Sequence, residues 1–180
     1  NLGDVLKQRA AELPGPIQMC DALSRNAPKL AQGAEILLAH CMAHGRRQFV
    51  DVAENFPEQC RYVLELLGEV YGHDAKAREA EMTPEQRLQL HTGHSDPVMT
   101  KLHEWLEAQF AERKTEPNSG LGKAIKYLLN HWRPLTLFLR IAGAPLDNNI
   151  VERAFKLAVL HRKNALFYRT LHGAPIRLSI

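Results

Sequence analysis

Residues 145–169 bring the groups best suited to chemistry into one short stretch. Asp147, Asn148, Asn149 and Glu152 are followed by Arg153, Lys156, Arg162, Lys163 and Arg169, so a carboxylate stands on a basic segment. Gly143 and Pro145 break what precedes it, and Asp147 or Asn148 can accept hydrogen bonds from the free N–H groups of a new helix. Ile150, Val151, Ala154, Leu157 and Ala158 then recur at helical apolar spacing, which leaves Glu152 in the first turns on the polar face. Two readings are open for that carboxylate. It can complement the positive end of the helix dipole and pair with Arg153 or Lys156, or it can be presented for chemistry on a surface that attracts a polyanion.

A second carboxylate, Asp21, follows the apolar run Ile17 to Cys20. That run reads as the end of a short strand, and an Asp there projects from the C-terminal edge of a sheet, where sites gather in α/β folds. The plain alternative is an Asx-turn. Residues 34–49 read as a strand running into a helix and carry Cys41 and His44 at a spacing that resembles half of a zinc site. The other half is missing, because Cys20 and Cys60 have no Cys or His partner nearby in sequence. His44 can equally be a packed, hydrogen-bonded residue at a helix start.

The words PLDNN, ER and HRKNALF, in that order between Pro145 and Tyr168, resemble the C-terminal catalytic signature of transposases of the insertion sequence sixty-six family, within the DDE group. By that resemblance Glu152 matches the third catalytic carboxylate and Asp21 the second, both as metal ligands. Residues 41–49 resemble the family's C-x-x-H-x-R-R-x-F block. The resemblance makes His44, Asn148, Asn149, Arg153 and Lys156 candidates for active-site or DNA contact. It makes Arg46, Arg47, Arg162, Lys163 and Arg169 candidates for DNA binding.

What the resemblance implies is specific. The fold would be α/β, predominantly helical here, with an incomplete ribonuclease-H-like core. The complete site would hold two Mg²⁺ (or Mn²⁺) ions on carboxylates. The partners would be DNA, as transposon ends and target, and further copies of the protein in a synaptic complex, with a cytoplasmic, nucleoid-associated location in a bacterium. The family's first catalytic Asp has no counterpart, since Asp4 is the only acid before Glu12 and lies in a helix-like lead-in. The expectation is therefore a fragment of a longer protein, inactive by itself, whose sequence from Pro175 onward departs from the family's closing helices.

Charge is divided unevenly along the chain. Residues 120–180 hold ten Lys or Arg against two Asp or Glu, and the remainder holds thirteen against eighteen, so a local +8 and −5 lie behind the net +3. The basic part is the DNA candidate, with a contribution that is independent of base sequence and weakens with salt. No stretch approaches the roughly twenty apolar residues of a membrane span, and three cysteines supply no disulfide framework.

The elements that must position these groups divide into residues 1–55 and 118–180, read as the core, and residues 56–117, read as a helical insertion. Pro57 opens a helix with Cys60, Val63, Leu64, Leu67, Val70 and Tyr71 on its apolar side and Gly68 as a weak point. Thr83 caps a second helix with Pro84 in its first turn. Asp96-Pro97 is read as a third start, and residues 116–120 as a break before a helix from Leu121 to about Trp132. The apolar run Leu135 to Ile141 follows. His73, His91, His94 and His103 are read as surface residues rather than ligands, and Trp105 and Trp132 as core anchors. Two further functions compete with catalysis. One is a DNA-binding remnant without activity; the other is a helical protein-interaction module.

Overall fold

Short apolar runs at Ile17–Cys20 (β1) and Leu37–His40 (β2) pair as a two-stranded parallel sheet, with Ile17 opposite Leu37 and Cys20 opposite His40. Parallel pairing makes both strands finish at the same edge, so Cys20 and His40 end side by side. A computed structural model of the chain describes residues 17–20 and 37–148. From β2 the chain enters helix α1 (Met42–Val50) through Cys41, which matches the strand-into-helix expectation.

The long helix α2 (Pro57–Glu79) begins at Pro57, with Glu58 in its first turn and Lys76 and Arg78 in its last, each complementing the helix dipole. It buries Cys60, Val63, Leu66, Leu67, Val70 and Ala77 on one stripe, and Asp74 falls on that same stripe. Gly68 does not interrupt it. A Cβ there would meet nothing within 4 Å, so the glycine lies on the open side and costs only helix propensity, about 1 kcal/mol.

Helix α3 (Pro84–Leu90) starts with the expected capping box: the Thr83 hydroxyl accepts from the Gln86 N–H, and the Gln86 side chain accepts from the Thr83 N–H at 2.9 Å. The third start falls at Asp96-Pro97 as expected, but no break precedes it. The chain stays helical through a π-turn at His91–Ser95 and runs into helix α4 (Asp96–Ala111), whose N-cap, Ser95, makes no side-chain capping bond. Pro97 is tolerated because it falls in the first turn of α4. The extra residue of the π-turn rotates the helical face, and it carries His91 and Ser95 into the interior.

Residues 112–119 separate α4 from α5, so the break expected at 116–120 is present, with Gly120 already the first residue of the next helix. Ser119 caps helix α5 (Gly120–Asn130) by accepting from the Gly122 N–H at 3.0 Å. Gly122 is required there, since a Cβ would stand 2.2 Å from the Glu116 carbonyl oxygen. Leu121, Ala124, Ile125 and Leu128 form the buried stripe of α5. A short helix α6 (Trp132–Leu135) and a 3₁₀ turn (Leu137–Leu139) follow, and the turn packs against β2. The apolar run from Leu135 is thus buried behind the strands.

One hydrophobic core joins these elements, with Phe49 from α1, Leu67 from α2, Leu102 and Leu106 from α4, and Ile125 and Leu128 from α5. Each such side chain contributes about 2 kcal/mol of burial. Trp105 and Trp132 are half-buried and pack on the rim of this core. Among the described residues no helix is long and apolar enough to cross a membrane.

Candidate functional site

The strand edge and the head of α1 are fixed by backbone hydrogen bonds. The first N–H groups of a helix have no partner within it. Here the Cys41 N–H donates to the Cys20 carbonyl at 3.0 Å, and the Met42 N–H donates to the Leu146 carbonyl at 3.1 Å. Successive amides at one point thus tie down the residue that precedes Asp21 and the segment that leads toward Glu152. Cys41 and Met42 are buried, and Leu146 is buried with them.

Around this point gather Tyr71 of α2, Asp147, Cys41 and Arg46. Burial pushes the Tyr71 hydroxyl far above its ordinary range, and the Asp147 carboxylate adds to this by charge and hydrogen bonding. The Cys41 thiol acts in the same direction, while the Arg46 guanidinium opposes it. Tyr71 is consequently a neutral hydroxyl at any physiological pH. His40, at the end of β2, meets His131 edge-on with ring centroids 5.1 Å apart, and His131 meets Tyr127 at 4.9 Å.

His44 lies in the first turn of α1 and is half-buried. Its neighbour Gly45 lets α1 approach α5 closely, since a Cβ at Gly45 would stand 2.6 Å from Leu128 Cδ2. Arg46 and Arg47 are exposed. Asn148 is half-buried. Asp21, Asn149, Glu152, Arg153, Lys156, Arg162, Lys163 and Arg169 lie outside the described residues. Among the described residues no group of three or more His, Cys, Asp or Glu could hold a metal ion, so Cys41 and His44 are not half of a closed cluster there.

A second polar centre was not legible as one. Asp74, on the apolar stripe of α2, is 4% exposed and faces His91, which is 1% exposed. His91 Nε2 lies 3.2 Å from Asp74 Oδ1, and His91 Nδ1 lies 2.9 Å from Ser95 Oγ. His73 Nδ1 reaches the same Ser95 oxygen at 3.0 Å. Arg87 pairs with Asp74 Oδ1, and Arg78 pairs with Oδ2 at 3.2 Å. Burial alone would raise the Asp74 carboxyl, but the His91 hydrogen bond, Arg87 and Arg78 outweigh it and hold the group below its ordinary range. The expectation of a surface His91 is therefore corrected: the π-turn turns its ring inward against Phe138, at 4.9 Å. The available signal was an acid at a core position of α2, with Arg78 four residues on.

The described part is an α/β fold, mostly helical, with a parallel strand edge whose following segments are anchored at one helix head. The sequence matches the family described as Transposase IS66 family over residues 4–176, and the chain belongs to that family. Among curated proteins it is 36% identical over 155 residues, or 84% of the chain, to "Uncharacterized protein y4jD" of Sinorhizobium fredii (strain NBRC 101917 / NGR234). It is 32% identical over 153 residues to "Uncharacterized protein y4qI" and 29% over 150 residues to "Uncharacterized protein y4hP" of the same strain, covering 81% and 77% of the chain. The chain spans little more than a quarter of these relatives, 29%, 26% and 27% of their lengths respectively. No solved structure matches.

Proposed function

We propose that this chain is a catalytic portion of a DNA transposase in which Asp21 and Glu152 are metal-binding carboxylates of a phosphoryl-transfer site. The observation that carries this reading, beside family membership, is the pair of bonds from Cys41 N–H to Cys20 and from Met42 N–H to Leu146. They bring together the chain just before Asp21 and the chain shortly before Glu152. In this reading residues 1–55 and 118–180 belong to a ribonuclease-H-like core, and residues 56–117 are the insertion within it.

Asp21 and Glu152 offer hard carboxylate oxygens, a donor type that suits Mg²⁺ or Mn²⁺. Such ions, when bound, supply Lewis-acid activation of the attacking oxygen and stabilisation of the leaving one. The reaction is an in-line displacement: a water or DNA 3′-hydroxyl oxygen forms a bond to phosphorus as the bond to the leaving oxygen breaks. The chain's own contribution is positioning and charge. Arg46, Arg47, Arg153, Lys156, Arg162, Lys163 and Arg169 neutralise phosphates, and His44, Asn148 and Asn149 orient groups near the carboxylates. DNA, as transposon ends and target, is the partner, handled by a homo-oligomer in the cytoplasm of a bacterium.

The test uses the full-length parent protein and labelled duplexes that carry the element's ends. Mg²⁺- or Mn²⁺-dependent strand cleavage is expected, with Asp21→Asn or Glu152→Gln abolishing it while duplex affinity stays within about twofold, because phosphate contacts carry non-specific affinity. Cleavage at the parental rate by both variants sinks the reading. Salt-sensitive binding with no cleavage by the parent under any divalent ion would instead support a binding remnant.

A further inference from the structure

Away from the strand edge, a cavity of about 270 Å³ opens between α4, α6 and the 3₁₀ turn. Its lining combines an aromatic wall, two carboxylates and one guanidinium. Trp132 and His103 form the wall, with ring centroids 4.6 Å apart and planes inclined at 57°, so a stacked base would lie on one ring only. Asp96 and Glu104, both exposed, supply acceptors from the α4 side. Arg140 supplies donors. Its position is set by a bond from Nη1 to Thr136 Oγ1 at 3.0 Å and by donation from Nη2 to the Arg133 carbonyl.

The geometry points to a binding site for one unpaired guanine base of a nucleic acid. This inference rests on the DNA-binding reading above. The cavity lies just under the roughly 300–1,000 Å³ of pockets that take drug-sized ligands, which suits a single ring system rather than a folded partner. Unpaired bases are recognised by stacking on aromatic side chains and by hydrogen bonds along their edges. Guanine presents N1–H and N2–H donors side by side, which a carboxylate accepts, and O6 and N7 acceptors, which the N–H bonds of Arg140 not directed at Thr136 and Arg133 can serve. Adenine places an acceptor where guanine has the N1–H, and cytosine offers a carboxylate a single donor group.

The test measures the protein's affinity for duplexes with one unpaired guanine, adenine, cytosine or thymine and for the fully paired duplex. Guanosine 5′-monophosphate is titrated separately against Trp132 fluorescence in a Trp105→Phe background. One stacked base corresponds to a gain on the order of tenfold. The unpaired guanine is expected to tighten binding by about that factor over the paired duplex, and Glu104→Gln and Trp132→Leu are each expected to remove the gain. Glu104 is exposed, so its substitution tests the site even if Trp132→Leu disturbs folding. Equal affinity for all duplexes overturns the inference and leaves the DNA reading standing. Quenching by the mononucleotide without any duplex binding keeps the site and removes the DNA reading. A lysine-rich peptide that outcompetes the mononucleotide also overturns it.

Discussion

Asp74 and Asp147 are carboxylates of one compact unit set in surroundings of opposite character. Asp74 sits in the interior, enclosed by His91, Arg87 and Arg78, and its carboxyl is held low by them against the opposing effect of burial. Asp147 stands at the strand edge beside the buried Tyr71 hydroxyl, whose ionisation it and the Cys41 thiol both disfavour. The first centre is complete in itself and ties α2 to the π-turn. The second sets one carboxylate, a neutral hydroxyl, a thiol and the Arg46 guanidinium where the segments next to Asp21 and Glu152 are anchored. The lesson is that burial of a charge does not mark a site; the sign of what surrounds it separates a structural centre from a candidate for cation and phosphate chemistry.

The largest expected effect lies at the strand edge and is catalytic. Asp21→Asn and Glu152→Gln are expected to abolish metal-dependent cleavage by the full-length parent, while neither lowers the thermal midpoint as much as a change at Asp74. If Asp74→Ala abolished cleavage in protein that remained folded at the assay temperature, the division of labour between the two regions would be wrong.

Next in size is Asp74→Ala, which leaves a buried imidazole and the Arg87 head without their acceptor. It is expected to cost about 3 kcal/mol in chemical denaturation, the low end for breaking a buried ion pair because Arg78 is half-exposed. A loss below 1 kcal/mol would mean that the network is ornamental. Thr83→Ala removes the cap of α3, the helix that carries Arg87, and is expected to cost about 1 kcal/mol. Combined with Asp74→Ala the losses should fall short of additive, since both loosen the same helix against α2.

The pH dependence separates the two regions further. The Asp74 carboxyl is held below its unfolded value of 3.8, so its stabilisation is present above that pH and is lost as pH falls through the lower folded value. Asp74→Asn should flatten this acid limb of an unfolding profile. The Tyr71 hydroxyl is held above its unfolded value of 10.0, so its contribution is present below that pH and is lost as pH rises toward the folded value. Tyr71→Phe should flatten the alkaline limb and change stability near neutrality least of all these substitutions. Exchange of the two effects, with Tyr71→Phe acting in acid, would dissolve the comparison.

Much of the local structure could be read from single residues. The strand at Ile17–Cys20, the proline start of α2, the Thr83 capping box and the break before α5 all follow from propensity and capping, which act over a few residues. The Asp96-Pro97 start of α4 could be read as well, but the π-turn that joins it to α3 could not, because a proline in a first turn looks the same whether a helix begins there or continues from a π-turn. His91 was misplaced for the same reason, since one extra residue in a helical turn changes which face it shares.

Sequence alone determined the family, through motifs whose order and spacing survive without any knowledge of packing, and it determined the caps and apolar stripes that raise the helices. Only the tertiary structure decided that Cys20 and Leu146 are held by neighbouring amides at the head of α1, and that Asp74, Arg87 and His91 converge. Those are meetings of residues far apart in the chain. They depend on which helix faces pack together, and that is set by the filling of one shared core rather than by any local run of residues.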